Sequence, residues 1–167
     1  MLELRKMNQN DVFKQWLYFT ALPSDENGLT NKYNGISFDE YRDIVLPKMM
    51  MYENPVDMPA WFVPESLFYL WDGNDIIGEF RIRHYLTDTL KFGAGHIGYS
   101  IKREFRGRGY GTRGLALTID IAKKIIREEE IFFRVRKNNI PSFKAIYNNG
   151  AYIADEDDTY IFLRIKK

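Results

Sequence analysis

Apolar and polar residues follow two periods along this chain, an alternation typical of strands and a three-to-four-residue spacing typical of helices. In the first half, Leu2–Lys6 alternates, and Ser37-Phe38-Asp39-Glu40 has the capping-box pattern that begins a helix. The elements predicted there are a strand over Leu2–Lys6, a helix from Asn10 or Asp11 to about Leu22, a loop over 23–36, a helix from Ser37 toward Pro47 or Met49–Met51, and an irregular segment over 53–64.

The second half is predicted to be richer in strands. Asp72-Gly73-Asn74-Asp75 lies between two apolar runs and predicts a hairpin. The predicted elements are strands over Leu67–Trp71, Ile76–Leu86 and Gly95–Ile101, a helix with an apolar stripe over Leu115–Ile126, a strand over Ile131–Val135, a helix with Asn139 near its cap, and a hairpin of Tyr152–Ala154 and Tyr160–Ile165. This order predicts an α/β (α+β) fold in one domain over residues 1–167, with a mixed, mostly antiparallel sheet of about seven strands and helices on both faces.

Composition narrows the functional classes. Lys plus Arg (24) nearly balances Asp plus Glu (23), so the chain lacks the basic field typical of nucleic-acid-binding proteins. The absence of cysteine excludes disulfides, thiolate metal sites and a cysteine nucleophile. The N-terminal residues lack the apolar run of a signal peptide, and charged residues interrupt the most apolar helix, Leu115–Ile126. We therefore expect a cytoplasmic protein that neither binds nucleic acid nor inserts into a membrane.

A glycine-rich segment, Arg106-Gly107-Arg108-Gly109-Tyr110-Gly111-Thr112, lies between a predicted strand and a predicted amphipathic helix. This position turns several backbone N–H groups toward one point at the positive end of the helix dipole. Glycines let the backbone approach a bulky anion, and Arg106 and Arg108 add positive charge. The segment predicts a phosphate-binding loop rather than a surface turn before a core helix.

Other phosphate-binding motifs do not fit this loop. Gly109-x-Gly111-x-x-Gly114 has the spacing of the dinucleotide fingerprint, but Lys102–Arg106 separates its first glycine from the apolar strand. The next predicted strand leads into Arg136-Lys137, where the fingerprint requires an acidic residue. The chain also contains no Gly-Lys-Ser/Thr tripeptide. The loop therefore belongs to another class of phosphate site.

The sequence resembles the GNAT (GCN5-related N-acetyltransferase) superfamily. The most diagnostic motif of that family, Arg/Gln-x-x-Gly-x-Gly/Ala, is matched by Arg106–Gly111, and Ile101 occupies the aliphatic position five residues earlier. A second motif, an Asn with a small residue three positions later and a Gly eleven positions later, is matched by Asn139, Ser142 and Gly150. The resemblance covers residues 76–152, and residues 77–84 and 95–101 are similar to a subgroup known mainly as predicted acetyltransferases.

The resemblance implies acetyl-CoA as the acetyl donor and no metal. The pyrophosphate would contact the amides of Arg106–Thr112, and the pantetheine arm would bind along Tyr99, Ser100 and Ile101 like an extra strand. Asn139, with Ser142 in the same motif, would reach the arm from the other side. An amide at the end of the Gly95–Ile101 strand would stabilise the oxyanion. Transfer would be direct, by attack of an amine on the thioester.

An alkylamine has a pKa of about 10.4, so about one molecule in 2,500 is neutral at pH 7 and a base must help. The candidates are His96 and, farther from the thioester, Glu79 and His84. Metal binding by the two histidines is not expected, because carboxylate partners at ligand spacing are missing. The family often protonates the departing thiolate with a tyrosine seven residues after the motif Asn. Here that position is Ile146, and Tyr147 comes one residue later.

Two alternatives to an N-acetyltransferase stay open. The first is a non-catalytic acyl-CoA-binding or sensor domain, which Ile146 at the acid position favours. The second is nucleic-acid binding through arginines of the loop region, which the balanced charge disfavours. The acceptor is a small-molecule or peptide amine that the sequence does not identify. The oligomeric state is equally open.

Overall fold

The computed structural model describes residues 1–26, 29–54, 56, 59 and 61–167. Parts of the two predicted irregular segments, at 27–28, 55, 57–58 and 60, lie outside the described residues. The strands are β1 (Leu2–Lys6), β2 (Asp25–Glu26), β3 (Leu29–Thr30), β4 (Glu65–Asp72), β5 (Asp75–Arg83), β6 (Ile97–Ile101), β7 (Glu130–Arg136), β8 (Tyr152–Glu156) and β9 (Tyr160–Lys166). The helices are α1 (Val12–Ala21), α2 (Phe38–Glu40), α3 (Leu46–Met51), α4 (Asp88–Lys91), α5 (Tyr110–Ile125) and α6 (Ile140–Tyr147).

Seven strands form two antiparallel groups, which confirms the predicted mixed α/β fold and its mostly antiparallel sheet. The first group has the order β1-β4-β5-β6 and the second the order β7-β9-β8, while β2 and β3 form a separate short hairpin. An isolated bridge between Gly95 and Phe133 joins the two groups at one end of β6. Beyond this bridge, β6 pairs with β5 along one edge, and the described residues provide no strand ladder along its other edge.

Alternating residues of β4 face two different apolar layers, as a strand with helices on both sides requires. Phe68 and Leu70 belong to a cluster with Leu115 and Ile119 of α5. On the opposite face, Leu67, Tyr69 and Trp71 belong to a second cluster, which includes residues of α1, α3 and the segment between α2 and α3. The expectation of helices on both faces is therefore confirmed. Among the described residues, no helix is long and apolar enough to cross a membrane.

The second predicted helix continues past its proline. The Ser37 side chain caps α2 by accepting a hydrogen bond from the Glu40 N–H, as the capping box predicts. A π-helical segment over Tyr41–Val45 then leads directly into α3, with Pro47 in its first turn. Proline has no N–H and clashes with the carbonyl four residues earlier, and the wider π turn accommodates both effects. Among the described residues, three short features were not predicted: the β2–β3 hairpin, α4 and a 3-10 turn over Arg103–Phe105.

Candidate active site

The glycine-rich loop has a backbone that other residues would strain. Gly107 and Gly109 both have φ of +76°, in the left-handed region that favours glycine, and Gly109 is the N-cap of α5. A Cβ at either glycine would meet no atom within 4 Å, so the backbone there borders open space. Gly114, one turn into α5, serves packing instead, because a Cβ there would come within 2.4 Å of Phe80.

Six consecutive amides, those of residues 107–112, have no hydrogen-bond acceptor among the described residues. On either side of them, the amide of Arg106 donates to the Arg103 carbonyl at 3.2 Å and that of Arg113 to the Gly109 carbonyl at 3.1 Å. The free amides open a helix of 16 residues, so the positive end of its dipole lies at the same place. This arrangement suits a large anion with several oxygen atoms.

Arg106 is engaged with protein groups rather than directed at the open loop. Its Nε donates to the Ile101 carbonyl at 2.8 Å, and its two terminal nitrogens contact both carboxylate oxygens of Glu26, the closer pair at 2.5 Å. The Glu26 carboxylate raises the pKa of Arg106 through this hydrogen bond. The side chain thus ties the loop to the end of β6 and to the β2–β3 hairpin. Glu26 lies 80 residues away in sequence, so no local pattern could have identified this partner.

The free edge of β6 presents backbone groups in the direction of β7. The N–H of Lys102 donates to the Ile77 carbonyl of β5 at 2.9 Å. Every second residue of an antiparallel strand directs its N–H and C=O to the same neighbour, so the backbone groups of Ser100 also point toward β5. The backbone N–H and C=O groups of Tyr99 and Ile101 therefore point to the opposite edge of β6. Arg106 already occupies the Ile101 carbonyl. An extended ligand amide could pair with the Tyr99 backbone there.

The two sequence motifs meet in space at the start of α6. The Asn139 side chain caps this helix by accepting a hydrogen bond from the Ser142 N–H at 3.3 Å. The Ser142 hydroxyl lies 3.0 Å from that of Tyr99, whose ring stacks on Phe80 with centroids 5.3 Å apart. The start of α6 therefore lies beside β6, and Asn139 and Ser142 approach the strand from the α5–α6 side of the sheet.

His96, predicted as a general base, has a structural environment instead. Its side chain is 0% exposed, and its Nδ1 accepts the Phe132 N–H at 2.9 Å. The network therefore assigns the proton to Nε2, which donates to Glu128 at 3.0 Å. Burial lowers the pKa of His96 and so favours the neutral ring, while Glu128 opposes this effect. With both ring nitrogens engaged and no access for an amine, the geometry does not support His96 as the base.

Glu79 and His84 lie on different networks. Glu79 in β5 is 5% exposed, and Arg81 donates to its carboxylate at 2.9 Å. Burial raises the pKa of Glu79, while Arg81 acts in the opposite direction. His84 contacts the Ser66 hydroxyl at 2.8 Å, and this hydroxyl also bonds Glu53 at 2.8 Å. The described residues include no group of three or more potential metal ligands around either histidine.

The α6 residues at the family's acid position point in different directions. Ile146 is 3% exposed and belongs to the apolar core. Tyr147 is 52% exposed and stacks on Phe143, with ring centroids 5.6 Å apart. One residue is a rotation of about 100° on a helix, so Tyr147 is turned away from the face that carries Ser142 and Ile146.

Comparison with known proteins agrees with this geometry. A family model described as acetyltransferase (GNAT) domain matches residues 2–151. No curated protein sequence matches the chain.

Among solved structures, the ribosomal-protein-S5-alanine acetyltransferase of Vibrio fischeri is similar with a TM-score of 0.72 and 18% identity, covering 99% of this chain and 92% of that one. A ribosomal L7/L12 alpha-N-protein acetyltransferase in complex with coenzyme A is similar with a TM-score of 0.67 and 17% identity, and the match covers 99% of this chain and 93% of that one. A dodecameric spermidine N-acetyltransferase from Vibrio cholerae is similar with a TM-score of 0.64 and 15% identity, and the match covers 99% of this chain and 93% of that one. At these identities the structures show a shared fold. With the family match over most of its length, the chain belongs to the GNAT family of acetyltransferases, which transfer an acetyl group from acetyl-CoA to an amine.

Proposed function

We propose that the chain binds acetyl-CoA with the pyrophosphate on the amides of residues 107–112 and the pantetheine arm along the free edge of β6. The observation that carries this proposal is the run of six amides at the start of α5 for which the described part of the chain offers no acceptor. Hydrogen bonds from amides to a charged phosphate contribute about 1.5–3 kcal/mol each, so a few of them suffice to anchor the cofactor. Arg108 supplies further positive charge, and Arg106 holds the loop in position through Glu26 and Ile101.

The arm is proposed to extend from the loop along Tyr99 and Ser100 of β6, with Asn139 and Ser142 on its other side. The Tyr99–Ser142 contact supports this path, because it joins the strand to the start of α6. A backbone amide of β6 would then stabilise the oxyanion that forms on the acetyl carbonyl.

The proposed reaction is direct. The neutral amine attacks the carbonyl carbon of the thioester, the carbon–sulfur bond breaks, and coenzyme A departs as the thiolate. For an alkylamine, deprotonation at pH 7 costs roughly 4.6 kcal/mol. A thiol with a pKa of about 8.5 can leave without an acid, so the reaction does not depend on Tyr147 as a proton donor. The cytoplasm stays the location expected from the sequence.

Calorimetric titration of the purified chain with acetyl-CoA, coenzyme A and NAD tests the cofactor assignment. We expect both coenzyme A species to bind with micromolar dissociation constants and NAD not to bind. A thiol-release assay with a panel of primary amines then separates an enzyme from a binding domain. Acetyl-CoA binding without any acetylated amine would favour the sensor alternative, and absence of binding would overturn the proposal.

A further inference from the structure

A partly open polar surface lies on the face of the sheet that is opposite α5. In the ladder of β4, β5 and β6, Glu79 lies directly opposite Ser100, and Arg81 lies directly opposite Gly98. A Cβ at Gly98 would meet no atom of the described residues within 4 Å, so these residues leave open space above this glycine. Arg81 borders it as the cross-strand neighbour of Gly98. We call the surface formed by Glu79, Arg81, Gly98 and Ser100 the Gly98 face.

The Gly98 face borders the proposed path of the pantetheine arm. Ser100 belongs to β6, along which the arm is proposed to run, and the hydroxyl of Tyr18 lies 2.6 Å from its hydroxyl. Glu79 is the cross-strand neighbour of Ser100. A buried carboxylate, a serine hydroxyl and the strand that would carry the thioester are thus contiguous.

The charged side chains of β4 and β5 on and next to the Gly98 face balance. Arg81 bonds Glu79 at 2.9 Å through one terminal nitrogen and Glu65 at 3.3 Å through the other. Arg83, on the same face of β5, donates to the Gly95 carbonyl at 3.0 Å. Two carboxylates therefore face two guanidinium groups. A ligand with several ammonium groups would bring several more positive charges to a surface that already carries two arginines, whereas a ligand with one ammonium group adds a single charge beside Glu79.

We propose that the Gly98 face is the acceptor site and that it takes the α-amine of a peptide N-terminus, with the amine beside Glu79 and the first peptide carbonyl groups within reach of Arg81. This inference rests on the proposed function, because it places the acceptor relative to the cofactor. A peptide N-terminus carries one ammonium group followed by carbonyl acceptors, which is the charge pattern of this face. A polyamine carries several ammonium groups and no acceptor for an arginine.

The hydrogen bonds of the candidate base His96 also favour a peptide α-amine as the acceptor. Because both nitrogens of His96 are engaged, the site needs an amine that is easily deprotonated. An α-amine has a pKa of about 7.7–8.0, so roughly one molecule in seven is neutral at pH 7, against about one in 2,500 for an alkylamine. Glu79 receives the proton of the ammonium group, directly or through one water at Ser100. The neutral nitrogen then attacks the thioester carbon, the carbon–sulfur bond breaks, and the second proton of the nitrogen passes to the departing thiolate, which gives the amide and the free thiol of coenzyme A.

An acceptor panel tests the proposed class. Thiol release from acetyl-CoA is measured at pH 7 with the wild-type chain and three amines: an Ala-Gly-Gly tripeptide amide with a free N-terminus, a lysine amide blocked at its α-amine, and spermidine. We expect kcat/KM for the tripeptide to exceed that of the other two by at least about 50-fold, since the neutral fractions alone differ by more than this. Higher kcat/KM for spermidine or the blocked lysine amide would overturn the inference and leave the cofactor assignment intact. Failure of acetyl-CoA to bind would instead remove the proposed function.

Two kinds of variant test the location. Glu79→Gln keeps the shape of the side chain and an acceptor for Arg81, so we expect kcat per folded molecule to fall about 100-fold while acetyl-CoA affinity stays unchanged. The melting temperature should fall, because Arg81 loses a charged partner. Gly98→Leu fills the open space, so we expect the KM for the tripeptide to rise at least tenfold with unchanged acetyl-CoA affinity, and Gly98→Ala to have a smaller effect. These two glycine variants keep the test informative if Glu79→Gln does not fold. Unchanged kcat in a folded Glu79→Gln, or unchanged KM in Gly98→Leu, would place the acceptor elsewhere.

Discussion

The loop at residues 107–112 and the Gly98 face are built in different ways. The loop consists of backbone amides that are contiguous in sequence, and its geometry follows from two glycines with positive φ before a helix. The Gly98 face consists of residues that two strands, β5 and β6, bring together, and its charge balance also depends on Glu65 of the neighbouring β4. A backbone site can therefore be identified from a short motif, whereas a side-chain site becomes visible once strand register is known.

The largest expected effect is on acetyl-CoA binding, from a substitution that changes the loop and leaves the Gly98 face intact. Gly109→Asp and Gly109→Asn are similar in size, and both residues tolerate the left-handed conformation better than most. The aspartate adds a negative charge where the pyrophosphate is proposed to bind, so we expect it to weaken acetyl-CoA binding by at least about 100-fold, or ~2.7 kcal/mol. The folded asparagine variant should bind acetyl-CoA with an affinity within about fivefold of that of the wild type. Calorimetry measures both, and equal affinity of the two variants would contradict the placement of the pyrophosphate.

A second prediction separates His96 from Glu79. His96→Ala leaves the Glu128 carboxylate and the Phe132 N–H without their partner and creates a cavity, so the free energy of unfolding should fall by about 2 kcal/mol. Urea unfolding measures this loss. The kcat per folded molecule should stay close to wild type, in contrast to Glu79→Gln. A large drop in kcat without a loss of stability would return His96 to the role of base.

The third prediction concerns the connection from the loop to the β2–β3 hairpin. Arg106→Lys removes the bidentate contact with Glu26 and the bond to the Ile101 carbonyl, so acetyl-CoA affinity should fall about tenfold. Glu26→Gln keeps the side-chain shape and weakens the same ion pair, so it should cause a smaller loss of the same kind. If Glu26→Gln instead increased the affinity, the free guanidinium would be a phosphate ligand rather than a support for the loop.

A fourth effect is a modest dependence of stability on pH. Burial lowers the pKa of His96 and His84 in the folded chain, so the unfolded chain binds more protons below its own histidine pKa of about 6.5. Stability contributed by these residues should therefore decrease as pH falls from 6.5 toward 5. The raised pKa of Glu79 acts in the opposite sense. The urea midpoint of His96→Gln should depend less on acidification than that of the wild type, and an equal dependence would contradict the buried neutral state of His96.

The smallest expected effect concerns α6. Tyr147→Phe removes the hydroxyl but keeps the ring that stacks on Phe143. Because a thiolate with a conjugate-acid pKa of about 8.5 can leave unassisted, kcat should change by less than about threefold. Steady-state thiol release measures it. A drop of 100-fold would show that Tyr147 donates the proton and that α6 turns during the reaction.

The sequence was sufficient for features that depend on neighbouring residues. The caps at Ser37 and Asn139 form as predicted, since each involves a backbone N–H three residues later. The hairpin at Asp72–Asp75 forms for the same reason. The environment of His96 was not predictable, because its partners lie 32 and 36 residues away in sequence. An isolated histidine in an apolar strand gives no sign of whether its ring nitrogens are free.

Backbone NMR of the labelled chain during titration with acetyl-CoA tests the central claim most directly, because each amide of the loop has its own resonance. The largest shifts should occur at residues 107–112 and at Tyr99. Later addition of the Ala-Gly-Gly amide, with coenzyme A in place of acetyl-CoA to prevent turnover, should shift Gly98 and Ser100 instead. Acetyl-CoA shifts that leave residues 107–112 unchanged would contradict the account.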